Sequence, residues 1–309
     1  MYHPLVTIIT PTYKHDAYIG ECIESVLGQT YGKWEQIIVD DCSPDRTLEI
    51  AQSYRDPRIR VIQKPVRGGP EKLHESYNMA LGMARGELIA VLEGDDYWPK
   101  NKLEIQVPFH ASPSLAMTWG NYEKKMGDRL LGAERRYSRK PITFPNTSYL
   151  LIRNVIPALT VMAPREALLK IGGFWQPEGT VFVDHPTWLK LSRVGNILYI
   201  PRRLGIYRLH GGQISRNQRQ KMCAFSHAYI DEFISALSPE EKRELAMRKI
   251  AASRALYKAT KDMMEEGRLN LPLLVRAFLG GDLRTKYQCI QTVLAMARRR
   301  IRPAPPSLP

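Results

Sequence analysis

Apolar and polar positions alternate along the first hundred residues in a strand–helix rhythm. Val6-Thr-Ile-Ile-Thr10 is a first strand, ended by Pro11-Thr-Tyr13. Ile19, Ile23, Val26 and Leu27 recur at helical spacing between Asp16 and Gly28, which predicts an amphipathic helix with Cys22 on its core face. Gln36–Asp40 is a second strand. Thr47–Tyr54 is a helix with Ser43 or Asp45 as its cap, and Ile59–Ile62 is a third strand. A Gly/Pro-rich loop, Lys64–Pro70, precedes a helix over His74–Arg85 that Gly86 closes. Leu88–Leu92 is then an unbroken apolar run, the pattern of a strand buried on both faces of a parallel sheet. The alternation predicts an α/β fold with right-handed crossovers.

Past Pro99 the rhythm loosens. Lys102–Phe109 and Arg165–Ile171 read as helices, Ala116–Trp119 and Asn154–Met162 as strands, and Gly172-Gly-Phe174 as a helix stop. Glu123–Tyr149 is polar and basic, a substrate-facing insertion. Asp184 opens a helix that runs to Arg193, where it is either a cap or a functional carboxylate. Ile197–Ile200 and Leu204–Tyr207 are strands, followed by a polar loop through His210 to Ser215. Ser238-Pro-Glu-Glu241 is a capping box with proline at the first helical position, and Gly267 is the matching stop. Leu269–Leu279 is apolar apart from Asn270 and Arg276. A last helix carries Ile290, Val293, Leu294, Ala297 and Ile301 on one face, with a proline-rich tail expected to be disordered from Pro303.

Charge changes this picture in one place. The chain of 309 residues carries a net +14, yet residues 201–309 hold 21 Lys+Arg against 9 Asp+Glu, so nearly all the surplus lies in the C-terminal third. No apolar run approaches the roughly 18–20 residues a spanning helix needs. The N-terminus lacks a signal pattern and the four cysteines are dispersed, so a reducing, cytoplasmic setting is expected.

The candidate chemistry sits at two strand ends. Leu88–Leu92 stops at Glu93-Gly-Asp-Asp96, three carboxylates within four residues, and Gln36–Asp40 stops at Asp40-Asp41. Neighbouring strands of a parallel sheet present both ends to one crevice, where open α/β sheets bind their ligands. Clustered carboxylates repel one another, and a hard divalent cation removes that repulsion. A dinucleotide oxidoreductase or a sugar-phosphate nucleotidyltransferase needs glycine after the first strand, and Thr10–Asp16 has none.

These segments together resemble the inverting family-two glycosyltransferases with the GT-A fold. The motifs are Val6-Thr-Ile-Ile-Thr-Pro-Thr-Tyr13, Ser25-Val-Leu-Gly-Gln-Thr-Tyr31, Ile38-Val-Asp-Asp-Cys-Ser-Pro-Asp45, Asn78 with Gly86-Glu87, Glu93-Gly-Asp-Asp96, Gly172-Gly-Phe174, Asp184 with Trp188, and Tyr207-Arg-Leu-His210. The resemblance implies a Rossmann-like, mostly parallel sheet flanked by helices over residues 1–215, with a donor-binding half (1–100) and an acceptor half (101–215). A basic helical extension follows over 216–309. It implies metal-dependent, inverting transfer of a sugar from a nucleotide diphosphate, UDP by default, to a saccharide or lipid-linked acceptor in surface polysaccharide assembly.

By the same resemblance, Asp96 is the metal ligand for Mn2+ or Mg2+, and Asp95 contacts the donor ribose or joins the metal shell. Asp41 reads the nucleobase imide beside a backbone contact from Pro11 or Thr12, with Tyr13 and Asn78 in the same donor site. Asp184 is the general base, and Arg208 and His210 close over the diphosphate. Three positions depart from the family pattern: Glu93 stands for Asp, Val183 for an acid, and Tyr77 for a basic residue, a role that Lys72 or Arg67 would then take. The basic helices over 269–302 suit the cytoplasmic face of an anionic membrane, or packing within an oligomer. A non-catalytic nucleic-acid-binding or partner-binding protein is the rival reading, and the acidic crevice argues against nucleic acid.

Overall fold

The computed structural model describes residues 2–133, 138–144, 150–151, 154–217, 229–244, 250–251, 254–256, 258, 271–280 and 289. The chain divides into two compact units, Met1–Asn146 with Val155–Glu232, and Thr147–Asn154 with Phe233–Pro309.

The first unit is built on one sheet. Its opening half alternates as the hydrophobic pattern requires: β1 (Val6–Thr12), α1 (Ile19–Leu27), β2 (Trp34–Asp40), α2 (Thr47–Ser53), β3 (Ile59–Gln63), α3 (Leu73–Met83) and β4 (Leu88–Val91). β3, β2, β1 and β4 lie side by side and all parallel, in that order. Every residue of β1, β2 and β4 is buried, the condition for a sheet covered on both faces. Side chains alternate across the pleat: Val6, Ile8, Ile38, Ala90 and Leu92 meet Ile19, Cys22, Ile23 and Val26 of α1. α3 packs against β1 and β2.

The second half departs from the expected elements. α4 (Lys102–Gln106) passes into a 3₁₀ turn, Val107–Ala111, with Pro108 near the start of the turn, where the helix gives out. β5 runs from Leu115 to Met126, far beyond Trp119, and folds back as β6 (Arg129–Ala133) in a two-stranded ribbon. β7 (Ile142–Phe144) follows. The strand expected over Asn154–Met162 is displaced: Ala158–Thr160 is a 3₁₀ turn and β8 is only Met162–Pro164. Then come α5 (Arg165–Lys170) and α6 (Asp184–Leu191). The two strands expected around 197–207 are one, β9 (Asn196–Arg208), exposed at Asn196 and again in its middle. The sheet continues β4-β8-β5-β9-β7; β8 is antiparallel to β4 and β5, and β9 is parallel to β5. α7 (Ile214–Asn217) follows β9.

In the second unit α8 (Pro239–Glu244) starts on the expected capping box: Glu241 Oε2 accepts from the Ser238 N–H (2.7 Å) and Ser238 Oγ accepts from the Glu241 N–H (3.2 Å). α9 (Leu271–Gly280) buries Leu274 and Ala277 against Ala255, Leu256 and Cys289. Gly267, the helix expected around Ile290–Ile301 and the tail from Pro303 lie outside the described residues. No helix among those described is long and apolar enough to cross a membrane.

Candidate functional site

The end of β1 holds two loops together. Its Thr12 carbonyl accepts the Asp41 N–H (3.0 Å) and its Pro11 carbonyl accepts the Gly94 N–H (3.1 Å), so the acidic ends of β2 and β4 meet on either side of it. Lys14 and Cys42 turn the chain away from β1 and β2 at φ 57° and 58°, a left-handed conformation that non-glycine residues adopt at some cost and that gathers at functional sites. At Gly94 a Cβ would stand 2.6 Å from Thr12 Oγ1 and 2.9 Å from His15 Nδ1, so only glycine lets the β4 loop lie against β1.

Asp41 is almost buried and well supplied with donors. Its two oxygens accept the N–H groups of Gly68 and Gly69, each at 2.8 Å, and Lys64 Nζ lies 3.0 Å away. Tyr13 is partly exposed beside it, with the Arg67 guanidinium 4.3 Å above its ring. Of the two cations expected to substitute on this loop, Arg67 therefore reaches the site's edge. Lys72 pairs with Glu75 (3.6 Å).

The β4 loop carries the strongest electrostatics. Glu93 is half-buried, and Tyr77 donates a hydrogen bond to its Oε1 (2.9 Å); loss of solvent around it, then the Asp95 charge, push the Glu93 carboxyl up to about 8. The two departures from the family pattern, Glu93 and Tyr77, are thus partners. Asp95 goes the other way: burial opposes its charge, but His15 and His210 outweigh that and hold it below the usual range. His210 Nε2 is 3.1 Å from Asp95 Oδ2 and His15 Nε2 is 3.8 Å from the same oxygen. The Gly212 N–H donates to His210 Nδ1 (3.2 Å), which leaves the ring proton on Nε2, directed at Asp95.

Asp96 is fully buried. Its Oδ1 accepts the Arg208 N–H (2.9 Å), while its Oδ2 has no hydrogen-bond partner. Burial first, then Asp95 and Glu93, raise its proton affinity well above the ordinary value. Arg208 is spent on the same loop: its guanidinium donates to the Asp95 carbonyl (2.6 Å) and to the Glu21 carboxylate, and lies 4.5 Å over the Tyr97 ring. Asn78 uses both ends of its amide on the backbone of Phe174, at 2.9 and 2.8 Å. A Cβ at Gly173 (φ 86°) would meet that amide oxygen at 2.4 Å.

Asp184 is half-buried and is the first residue of α6, after Val183, which makes no side-chain cap bond. Its charge adds to the burial that raises the proton affinities of Glu93 and Tyr77. His185, next to it, is buried and hydrogen-bonds the Tyr229 hydroxyl through Nδ1.

No three His, Cys, Asp or Glu side chains form a closed metal cage among the described residues. The residues nonetheless fit a divalent cation. Asp96 Oδ2 is a buried oxygen without a partner, Asp95 is held ionised beside it in the chain, and magnesium-type ions bind through one or two carboxylates plus substrate phosphates. Sequence reasoning found both acidic loops and missed Lys64, His15 and Glu21. His15 and Lys64 reach the site from loops and Glu21 from the first turn of α1, with no spacing signal to mark them.

A model of "Glycosyl transferase family 2" matches residues 7–168. TuaG of Bacillus subtilis (strain 168), a glycosyltransferase named for teichuronic acid biosynthesis, is 35% identical over 218 residues, covering 70% of this chain and 83% of TuaG. The Escherichia coli UDP-Glc:alpha-D-GlcNAc-diphosphoundecaprenol beta-1,3-glucosyltransferase WfgD is 32% identical over 226 residues, covering 71% of this chain and 82% of WfgD. Among solved structures, the mannosyltransferase PcManGT from Pyrobaculum calidifontis, in complex with GDP-Man and Mn2+, superposes with a TM-score of 0.63 at 20% identity, over 97% of this chain and 82% of that one. S. aureus TarS superposes at 0.62 and 20% identity, over 96% of this chain and 53% of TarS.

Proposed function

The chain belongs to glycosyl transferase family 2, with the GT-A fold, and from that membership we propose that it moves a sugar with inversion from a nucleotide diphosphate to an acceptor hydroxyl. The observation that carries the reading is the meeting of the Asp41 and Asp95 loops on the end of β1, with the charge of Asp184 acting on the acidic one. Asp41, backed by Lys64, accepts from the nucleobase imide, with Pro11, Thr12 and Tyr13 bordering the base; this suits UDP, the donor in WfgD's name. Asp96 and Asp95 would hold a Mn2+ or Mg2+ ion, which would supply Lewis-acid neutralisation of the charge on the leaving diphosphate. Arg208 and His210 set the position of the Asp95-Asp96 loop, and Asn78 holds the Gly172-Gly173 turn.

Asp184 takes the proton of the acceptor hydroxyl as that oxygen attacks the anomeric carbon. By likeness to TuaG and WfgD, the acceptor is a saccharide or a lipid-linked saccharide of surface polysaccharide assembly. Residues 1–100 form the donor half and 101–215 the acceptor half. The basic extension rests on the inner face of an anionic membrane through 269–302, where Leu271, Val275 and Leu279 are exposed along one side of α9.

Nucleotide release against a panel of sugar nucleotides, with manganese, magnesium or chelator, tests the donor and metal assignments. Undiminished turnover in chelator would overturn the metal. Asp184→Asn should lose roughly 10²–10⁴-fold in transfer with donor affinity unchanged; an equal loss of donor affinity would put Asp184 in the donor site instead.

A further inference from the structure

The ribbon of β5 and β6 carries an apolar surface that neither the family nor the proposed chemistry uses. Met126, Leu130 and Leu131 are 54%, 48% and 43% exposed, three large apolar side chains within six residues. Leu130 and Leu131 are adjacent on β6, so they point to opposite faces of the ribbon, and Met126 ends β5 one step before the turn at Gly127 (φ 56°). The register pairs Lys125 with Leu130 and Met126 with Arg129, which keeps the three together at the tip. Both faces are therefore apolar there, as an edge that enters an apolar medium requires and an edge kept in water avoids.

The base of the ribbon is tied to the site. Lys125 pairs with Arg208 in the β5–β9 register, its carbonyl accepts the Leu209 N–H (2.7 Å), and its Nζ is 3.5 Å from Glu21 and 5.1 Å over the Tyr97 ring. The charge around the apolar tip is one-sided. Among the described residues of 123–140, Lys124, Lys125, Arg129, Arg139 and Lys140 stand against Glu123 and Asp128, and Glu123 is paired with Arg203 (2.5 Å). Two such tips would bring base against base, which disfavours a second copy as the occupant. An anionic bilayer offers phosphate for the basic flanks and an acyl boundary for the apolar tip.

We propose that the β5–β6 ribbon dips into the interface of an anionic membrane, so that the mouth of the site beside Arg208–His210 lies at headgroup level. This rests on the reading of the acceptor as lipid-linked, and is separate from any docking by residues 269–302. It gives the ribbon the task of bringing a hydroxyl on a headgroup-level saccharide to the catalytic edge of the sheet.

The test uses the full chain, sedimented with vesicles of phosphatidylglycerol and phosphatidylcholine or of phosphatidylcholine alone, at low and high salt. The wild type should bind the anionic vesicles preferentially. The triple variant M126S/L130S/L131S should bind them at least tenfold more weakly, and turnover of donor to water or to a soluble acceptor should be unchanged. In L130W the indole emission should shift to the blue on adding anionic vesicles. Equal binding by the triple variant, no binding by the wild type, or an unshifted L130W spectrum would each overturn the proposal. So would a dimer, seen by light scattering without lipid, that the triple variant dissolves. Failure of glycosyl transfer itself would appear as absent donor turnover with vesicle binding intact.

Discussion

Asp96 and Asn78 differ in what they leave unmet: Asp96 keeps a buried oxygen without a partner, and Asn78 spends both ends of its amide on the Phe174 backbone. Asp96→Asn keeps an oxygen for the Arg208 N–H but removes the charge from the buried, unpartnered position. Donor turnover should fall at least about a hundredfold, as for loss of metal-site contacts, while the melting temperature stays near that of the wild type; preserved turnover would show that the metal does not use this residue. Asn78→Ala removes both bonds to Phe174 and should cost about 1–3 kcal/mol of stability in denaturant titration, since the Phe174 N–H and C=O lose their partners. The residues at strand ends were legible in the sequence because an apolar run that stops in carboxylates is visible by eye. The hydrogen bonds of Asn78 to Phe174 and of Arg208 to Asp95 and Glu21 were not. A motif records that a side chain is required, and only the fold records whether it faces a ligand or a backbone.

At the scale of elements, α4 and the 3₁₀ turn after it carry Lys102, Gln106 and His110, all buried polar residues. Gln106 and His110 share the Thr118 hydroxyl, at 3.0 and 2.9 Å, and Lys102 Nζ lies 3.8 Å over the Trp98 ring. Burial, and then Lys102, lower the His110 pKa from its ordinary 6.5 to about 3. The unfolded chain therefore binds a proton there that the folded chain refuses. Stability from this group is complete above about pH 6.5 and is lost as the pH falls towards about 3. His110→Gln should flatten the acid limb of a stability–pH curve over that window, and an unchanged slope would show that other groups govern it. The opening elements were legible because buried parallel strands write continuous apolar runs. β8 was not: three residues after a 3₁₀ turn leave no period to detect, and the apolar stretch before it serves packing instead. β9 was split in the reading because Arg202 and Arg203 interrupt its apolar pattern, yet they sit where the strand is exposed.

Over the whole molecule, the strand order determines which parts of the chain can complete one another. β4 pairs with β1 on one side and with β8 on the other, and β8 enters the chain about 70 residues after β4 ends. On a ribosome working at roughly 5–20 residues per second, the outer edge of β4 stays uncovered for several seconds after β4 has emerged. That edge is wholly apolar, and its unpaired backbone is a template for pairing with another nascent chain. A chain stopped after residue 140 should therefore aggregate, and one stopped after Glu232 should stay in solution, as a sedimentation assay of the two translation products would read. The order of synthesis thus makes residues 162–164 a timing element. Any slowing of translation between β4 and β8 lengthens the interval in which the outer edge of β4 stands uncovered.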